Sequence, residues 1–96
     1  MRSVEDIRRT LAARKEELAE RFHVKNLAIF GSYSRNEQKL GSDLDLLVEF
    51  DSPVGIEFID LGNHLESLLQ LRVDLVSKNG IKPKYFREIQ DDLRYV

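Results

Sequence analysis

The chain has 96 residues, 15 of them lysine or arginine and 17 aspartate or glutamate, so its formal net charge is −2. That length suits one domain spanning residues 1–96, and the slightly acidic balance argues against dedicated nucleic-acid binding, which normally requires a basic surplus. The absence of cysteine excludes disulfides, zinc thiolate sites and thiol catalysis and fits a cytoplasmic location, while the sequence contains neither a signal peptide nor a membrane-spanning apolar run.

Hydrophobic periodicity predicts three helices and three strands along the chain. The predicted elements are, in chain order, a helix over 3–22, strands over 24–30 and 43–50, a helix over 56–71, a strand over 72–77 and a helix over 83–93. This order of helix, strand, strand, helix, strand and helix predicts an α/β (α+β) fold, in which helices pack on a small mixed sheet of three strands.

Three aspartates are the first candidates for chemistry. Asp43 and Asp45 are two residues apart on a predicted strand, so their side chains should point to the same face of the sheet. Two carboxylates this close repel each other unless a cation lies between them. Asp74 interrupts the otherwise apolar strand over 72–77, and it joins the same face if the two strands are neighbours. Three such carboxylates would hold two Mg²⁺ ions about 3.5–4 Å apart, which suits in-line phosphoryl displacement.

The turn that follows the first strand is a candidate phosphate site. Gly31 lets backbone N–H groups approach a phosphate, and the hydroxyl of Ser32 adds a donor. Arg35 is near enough in sequence to reach the β- or γ-phosphate with its planar guanidinium. Each feature has an ordinary structural explanation when it stands alone, since Gly-Ser is usually a turn and Asp74 could simply pair with Arg72 or Lys82. Their combination, with ten residues between Ser32 and Asp43, makes coincidence a poor explanation.

These spaced motifs resemble the signature of minimal nucleotidyltransferases of the DNA polymerase β-like superfamily, most closely the MntA-type antitoxins of HEPN/MNT toxin–antitoxin pairs. The resemblance extends from Val24 to the last helix. It implies a nucleotidyltransferase fold in which Gly31 and Ser32 contact the triphosphate of ATP, and Arg35 matches the family's arginine. It also implies that Asp43, Asp45 and Asp74 are the catalytic, metal-binding carboxylates and that Asp74 helps to activate the acceptor hydroxyl.

The resemblance further implies an activity. Such antitoxins transfer AMP from ATP to a tyrosine of the partner toxin, an RNase, and so silence it. The sequence departs from the usual Gly-Ser-x-Ala-Arg-Gly pattern at two positions, with Ser34 in place of alanine and Asn36 in place of glycine. Asparagine is the non-glycine residue that best tolerates positive φ, so we expect the turn to be preserved.

Two other functions stay open at this point. The chain could be an antitoxin that masks its toxin with weak or no catalysis, or a nucleotidyltransferase that acts on a small molecule or an RNA end. The acidic triad argues against the first of these, and the charge balance argues against an RNA substrate. The sequence leaves the acceptor residue, the nucleotide preference and the assembly state open, and oligomers are compatible with it.

Overall fold

Four strands form one mixed sheet in the computed structural model, which describes residues 2–96. The strands are β1 (Val24–Phe30), β2 (Leu44–Phe50), β3 (Val73–Ser77) and β4 (Arg94–Tyr95). They lie side by side in the order β3-β2-β1-β4, with β1 antiparallel to both of its neighbours and β2 parallel to β3. The predicted mixed α/β sheet is therefore confirmed. The predicted count of three strands is wrong because the two-residue strand β4 is too short to leave a periodic pattern in the sequence.

Residues 2–96 also form five α-helices. They are α1 (Val4–Ala12), α2 (Lys15–Phe22), α3 (Gly31–Ser34), α4 (Ile56–Leu69) and α5 (Pro83–Ile89). No helix within residues 2–96 is long and apolar enough to cross a membrane.

Two of the predicted helices differ from the structure. The helix predicted over 3–22 is interrupted by a turn at residues 13–14, and the two resulting helices both pack apolar side chains into the main core. The helix predicted over 83–93 ends at Ile89, where a 3₁₀ turn, Gln90–Asp92, follows. Leu93 then has extended dihedral angles, φ −63° and ψ 123°, which direct the chain into β4.

Alternation along β2 divides its side chains between two apolar clusters. Leu44, Leu46 and Val48 are fully buried in the main core together with residues of α1, α2 and α4. Leu47 points to the opposite face, where it packs with Phe30 and other apolar residues, including those of α5. Because side chains alternate along a strand, the residue between Leu44 and Leu46 must also point to the face that carries α5.

Core burial on α4 gives a first prediction. Leu65 is fully buried, whereas Ile59 of the same helix is 56% exposed. We expect Leu65→Ala to lower the free energy of unfolding by about 2–5 kcal/mol through lost burial and a residual cavity. The matched control Ile59→Ala should change it by less than about 0.5 kcal/mol. Urea unfolding followed by circular dichroism measures both values, and equal losses in the two variants would contradict the packing described here.

Candidate active site

Asp45 and Asp74 lie directly opposite each other on the parallel strands β2 and β3. Their side chains point to the α5 face of the sheet, because residues at the same register on neighbouring strands share a face. The two carboxyl groups are close enough for the negative charge of Asp74 to raise the pKa of Asp45. Asp45 is half-buried and Asp74 is exposed, so the pair lies where the sheet meets solvent. The fold thus brings together two of the three aspartates that the sequence analysis singled out.

The charge state of Asp45 reflects this proximity. The pKa of Asp45 is raised from 3.8 to about 6, first by burial and then by the negative charges of Asp74 and Asp43. Arg35 acts in the opposite direction and lowers the pKa of Asp45. A bound cation would relieve the same repulsion by favouring the ionised form of both carboxylates.

Gly31 allows Asp45 to occupy this position. The residue has φ +74°, a left-handed conformation that side chains other than glycine's rarely adopt. A Cβ added at Gly31 would overlap Oδ2 of Asp45 and lie 3.0 Å from its Cγ. The glycine is therefore required both by backbone conformation and by the close approach of the carboxylate.

The turn after β1 begins with the short helix α3, and the structure accommodates both residues, Ser34 and Asn36, that depart from the family's sequence pattern. Ser34 is buried, and its hydroxyl donates a hydrogen bond to the backbone carbonyl of Asp92. Asn36 has φ 58°, so the prediction that asparagine preserves a positive-φ turn is confirmed. Ser32, in the first turn of α3, is half-buried.

Arg35 is held by two carboxylates. Its Nη1 lies 2.6 Å from Oδ2 of Asp92, and its Nε lies 2.9 Å from Oε1 of Glu37. These hydrogen bonds, that of Glu37 first, raise the pKa of Arg35. Sequence reasoning missed Asp92 because it lies 57 residues further along the chain than Arg35, and no local sequence pattern predicts the contact between them.

Asp43 is less closely associated with the other two aspartates. Its Oδ1 lies 3.1 Å from Nε of Arg72, and both side chains are largely exposed to solvent. Arg72 thus pairs with Asp43 rather than with Asp74, the partner considered from the sequence. Among residues 2–96, no three histidine, cysteine, aspartate or glutamate side chains are grouped closely enough to hold a metal ion as they stand. The arrangement is an adjacent pair, Asp45 and Asp74, with Asp43 nearby and engaged by a cation of the protein.

Tyr85 of α5 belongs to the same surface, although the sequence gave no signal for it. Its ring is 40% exposed. Burial raises the pKa of Tyr85, and the charges of Asp74 and Asp45 raise it further. The α5 side of the acidic pair therefore presents an aromatic residue.

Comparisons with known proteins agree on one family. The family model described as "Nucleotidyltransferase domain" matches residues 11–96. The protein adenylyltransferase MntA of Thermococcus cleftensis is 44% identical over 97 residues, which cover all of this chain and 98% of that protein. A solved minimal nucleotidyltransferase superposes with a TM-score of 0.73 at 36% identity, over 90% of this chain and 92% of the other.

One further solved structure shares the fold. A complex from Shewanella oneidensis, described as a tri-AMPylated HEPN toxin with its MNT antitoxin, contains a chain that matches with a TM-score of 0.68. The identity is 20%, over 93% of this chain and 70% of that one, so the likeness concerns the fold alone.

The close approach of Gly31 to Asp45 gives a prediction about stability. Gly31→Ala should lower the free energy of unfolding by about 1–3 kcal/mol from backbone strain, with an additional loss from the clash with the carboxylate. Gly62→Ala is the matched control, since a Cβ there would meet nothing within 4 Å. In this helical position alanine should raise stability by about 1 kcal/mol. Urea unfolding of both variants tests the prediction, and a neutral Gly31→Ala would refute it.

The raised pKa of Asp45 gives a prediction about pH. Because its pKa in the folded, metal-free protein is about 6, above the unfolded value, the stability it contributes is fully present below about pH 3.9 and is lost as pH rises through about 6. In EDTA, the wild type should therefore lose stability relative to Asp45→Asn between pH 4 and pH 7. Urea unfolding across that range measures the difference, and parallel profiles for the two proteins would contradict it.

Proposed function

Because the chain belongs to the nucleotidyltransferase domain family and is a nucleotidyltransferase, we propose that it transfers AMP from ATP to another protein. In this proposal the acceptor is a tyrosine hydroxyl of a partner HEPN-type RNase toxin, and Mg²⁺ is the cofactor. Its relative in Thermococcus cleftensis carries the name of a protein adenylyltransferase and aligns over the full length of this chain. The fold likeness to an antitoxin crystallised with an AMPylated HEPN toxin supports the same partner class.

The observation that carries the proposal is the contact between Asp45 and Asp74. Carboxylate oxygens are the ligands that Mg²⁺ prefers, and a divalent cation would offset both the burial and the charge of Asp74 that raise the pKa of Asp45. The donor set therefore fits the metal. In the proposal Asp45 and Asp74 would hold Mg²⁺ together with Asp43, whose carboxylate now pairs with Arg72. Bound Mg²⁺ would supply charge neutralisation at the phosphates.

The chain's other residues bind and orient the nucleotide in this proposal. Backbone N–H groups at Gly31 and the hydroxyl of Ser32 donate hydrogen bonds to the triphosphate, since the first N–H groups of a helical turn have no partner within it. Arg35 contributes a fixed positive charge on the same side. The acceptor oxygen attacks the α-phosphorus, pyrophosphate leaves, and Asp74 takes the proton of the hydroxyl.

A protein acceptor suits the openness of this surface. Asp74 is exposed, and the side chains of Asp43 and Arg35 are 49% and 46% exposed. A tyrosine presented by another protein can therefore approach the acidic pair without displacement of the fold. The net charge of −2 does not favour an RNA end as the acceptor.

One observation favours a second function, masking of the toxin without transfer. Asp43 is paired with Arg72, and the described residues contain no ready-made group of three metal ligands. If Arg72 keeps Asp43 from the metal, binding to the toxin would be the whole activity. The assay below separates the two functions.

Loss of the acidic pair should abolish AMP transfer. Incubation of the protein with ATP, Mg²⁺ and the HEPN-type product of the neighbouring gene should add one or more AMP units to that partner, as weighed by intact mass spectrometry. Asp45→Asn and Asp74→Asn should each slow transfer by at least about 100-fold, because each removes a carboxylate ligand of the cation that would neutralise charge at the transition state. Asp91→Asn, a change at an exposed position, is the matched control and should transfer at the wild-type rate.

The outcomes distinguish the candidate functions. A tight complex that never gains AMP supports masking and contradicts the proposal. AMP that appears only on RNA or on a metabolite contradicts the protein acceptor. Removal of Mg²⁺ with EDTA should stop transfer and should be reversed by added Mg²⁺, and transfer that continues in EDTA would contradict the metal assignment.

A further inference from the structure

We propose that Asp92 is a positioning residue that holds the guanidinium of Arg35 in place for the nucleotide phosphates. The inference rests on the proposed function, because it assigns Arg35 to ATP. It concerns a part of the chain, the segment after α5, that the chemistry above does not use.

The contacts of Arg35 leave its phosphate-binding capacity free. An arginine side chain carries five N–H donors, and in this structure one is directed to Glu37 and one to Asp92. Three donors therefore remain. The positive charge of Arg35 also reaches the acidic pair, where it lowers the pKa of Asp45. The guanidinium is thus fixed by two carboxylates within electrostatic reach of the candidate site.

Asp92 forms the shorter of the two contacts, at 2.6 Å against 2.9 Å, and its side chain is 26% exposed, whereas that of Glu37 is 64% exposed. A short contact between a guanidinium and a carboxylate is a charge-assisted hydrogen bond, and a less exposed carboxylate is less screened by solvent. An exposed pair such as Arg35 with Glu37 contributes little to holding a side chain in place.

Asp92 is itself fixed to the turn that carries Arg35. Its backbone carbonyl accepts the hydroxyl of Ser34, and Nε of Arg94 donates to the carbonyl of Ser34 over 2.8 Å. Arg94 pairs with Ile29 in the sheet, one residue before the strand ends at Phe30. The C-terminal segment is therefore tied both to β1 and to α3, and this arrangement sets the position of the Asp92 carboxylate relative to Gly31.

The position of Arg35 matters because a long side chain otherwise loses rotamer freedom when it binds a ligand. An arginine already held by Asp92 has less freedom to lose, so its contact with phosphate should be stronger. Removal of the Asp92 charge should weaken nucleotide binding only through Arg35. Two changes that act through one shared contact are non-additive, which distinguishes positioning from a general structural effect.

The test measures binding of the Mg²⁺ complex of α,β-methylene ATP, which cannot transfer AMP, by isothermal titration calorimetry. Asp92→Asn should raise Kd roughly tenfold, and Arg35→Ala should raise it by at least as much. The double variant should bind no more weakly than Arg35→Ala alone. Asp92→Glu, which keeps the charge, should restore part of the affinity, and Glu37→Gln should change Kd by less than about twofold. Asp91→Asn is the matched control and should bind like the wild type.

Each alternative result has a defined meaning. Wild-type affinity in Asp92→Asn overturns the inference, and so does an equal loss from Asp92→Asn in the wild-type and Arg35→Ala backgrounds. If Asp92→Asn fails to fold, the folded variant Asp92→Glu is used for the test instead. A Kd for Asp92→Glu that is as high as that of Arg35→Ala then overturns the inference. A wild type that binds the nucleotide but never transfers AMP contradicts the proposed function and leaves the positioning role standing. A wild type that binds no nucleotide contradicts both.

Discussion

The repulsion between two adjacent carboxylates is the constraint around which the site is organised. Parallel pairing of β2 and β3 sets Asp45 opposite Asp74, and this register is imposed by the apolar residues that flank both positions and bury the other face of the sheet. A shift of one residue would move the aspartates into the core and expose the leucines, so the hydrophobic pattern that stabilises the fold also holds the acids together. The energetic cost of that proximity makes the pair receptive to a divalent cation.

The segments around the pair complete the surface on which a nucleotide is proposed to bind. Gly31 gives the Asp45 carboxylate the space it needs, and the helical turn that begins there places Arg35 within electrostatic reach. The end of the chain returns to the same place, since β4 adds to β1 and the residues before it contact α3. The proposed phosphate side of the site is thus assembled from two parts of the chain that are far apart in sequence.

The sequence could predict what depends on short-range pattern. Strand periodicity predicted that Asp74 joins Asp45 on one face if their strands are neighbours, and the strand register confirms it. The positive φ of Asn36 followed from the glycine of the family pattern and from asparagine's tolerance of that conformation. Contacts between distant residues left no such signal. The pairing of Arg35 with Asp92 needs the path of the chain after α5, and the preference of Arg72 for Asp43 depends on side-chain geometry that spacing does not determine.

We propose that Asp45 and Asp74 hold the catalytic cation, and a crystal structure of the protein with Mn²⁺ and α,β-methylene ATP would show whether they do. Anomalous scattering locates Mn²⁺, which accepts the same oxygen ligands as Mg²⁺. We expect a manganese peak coordinated by both carboxylates and by nucleotide phosphate, with Asp43 released from Arg72 to join them. Nucleotide bound elsewhere, or bound with no manganese on Asp45 and Asp74, would contradict it.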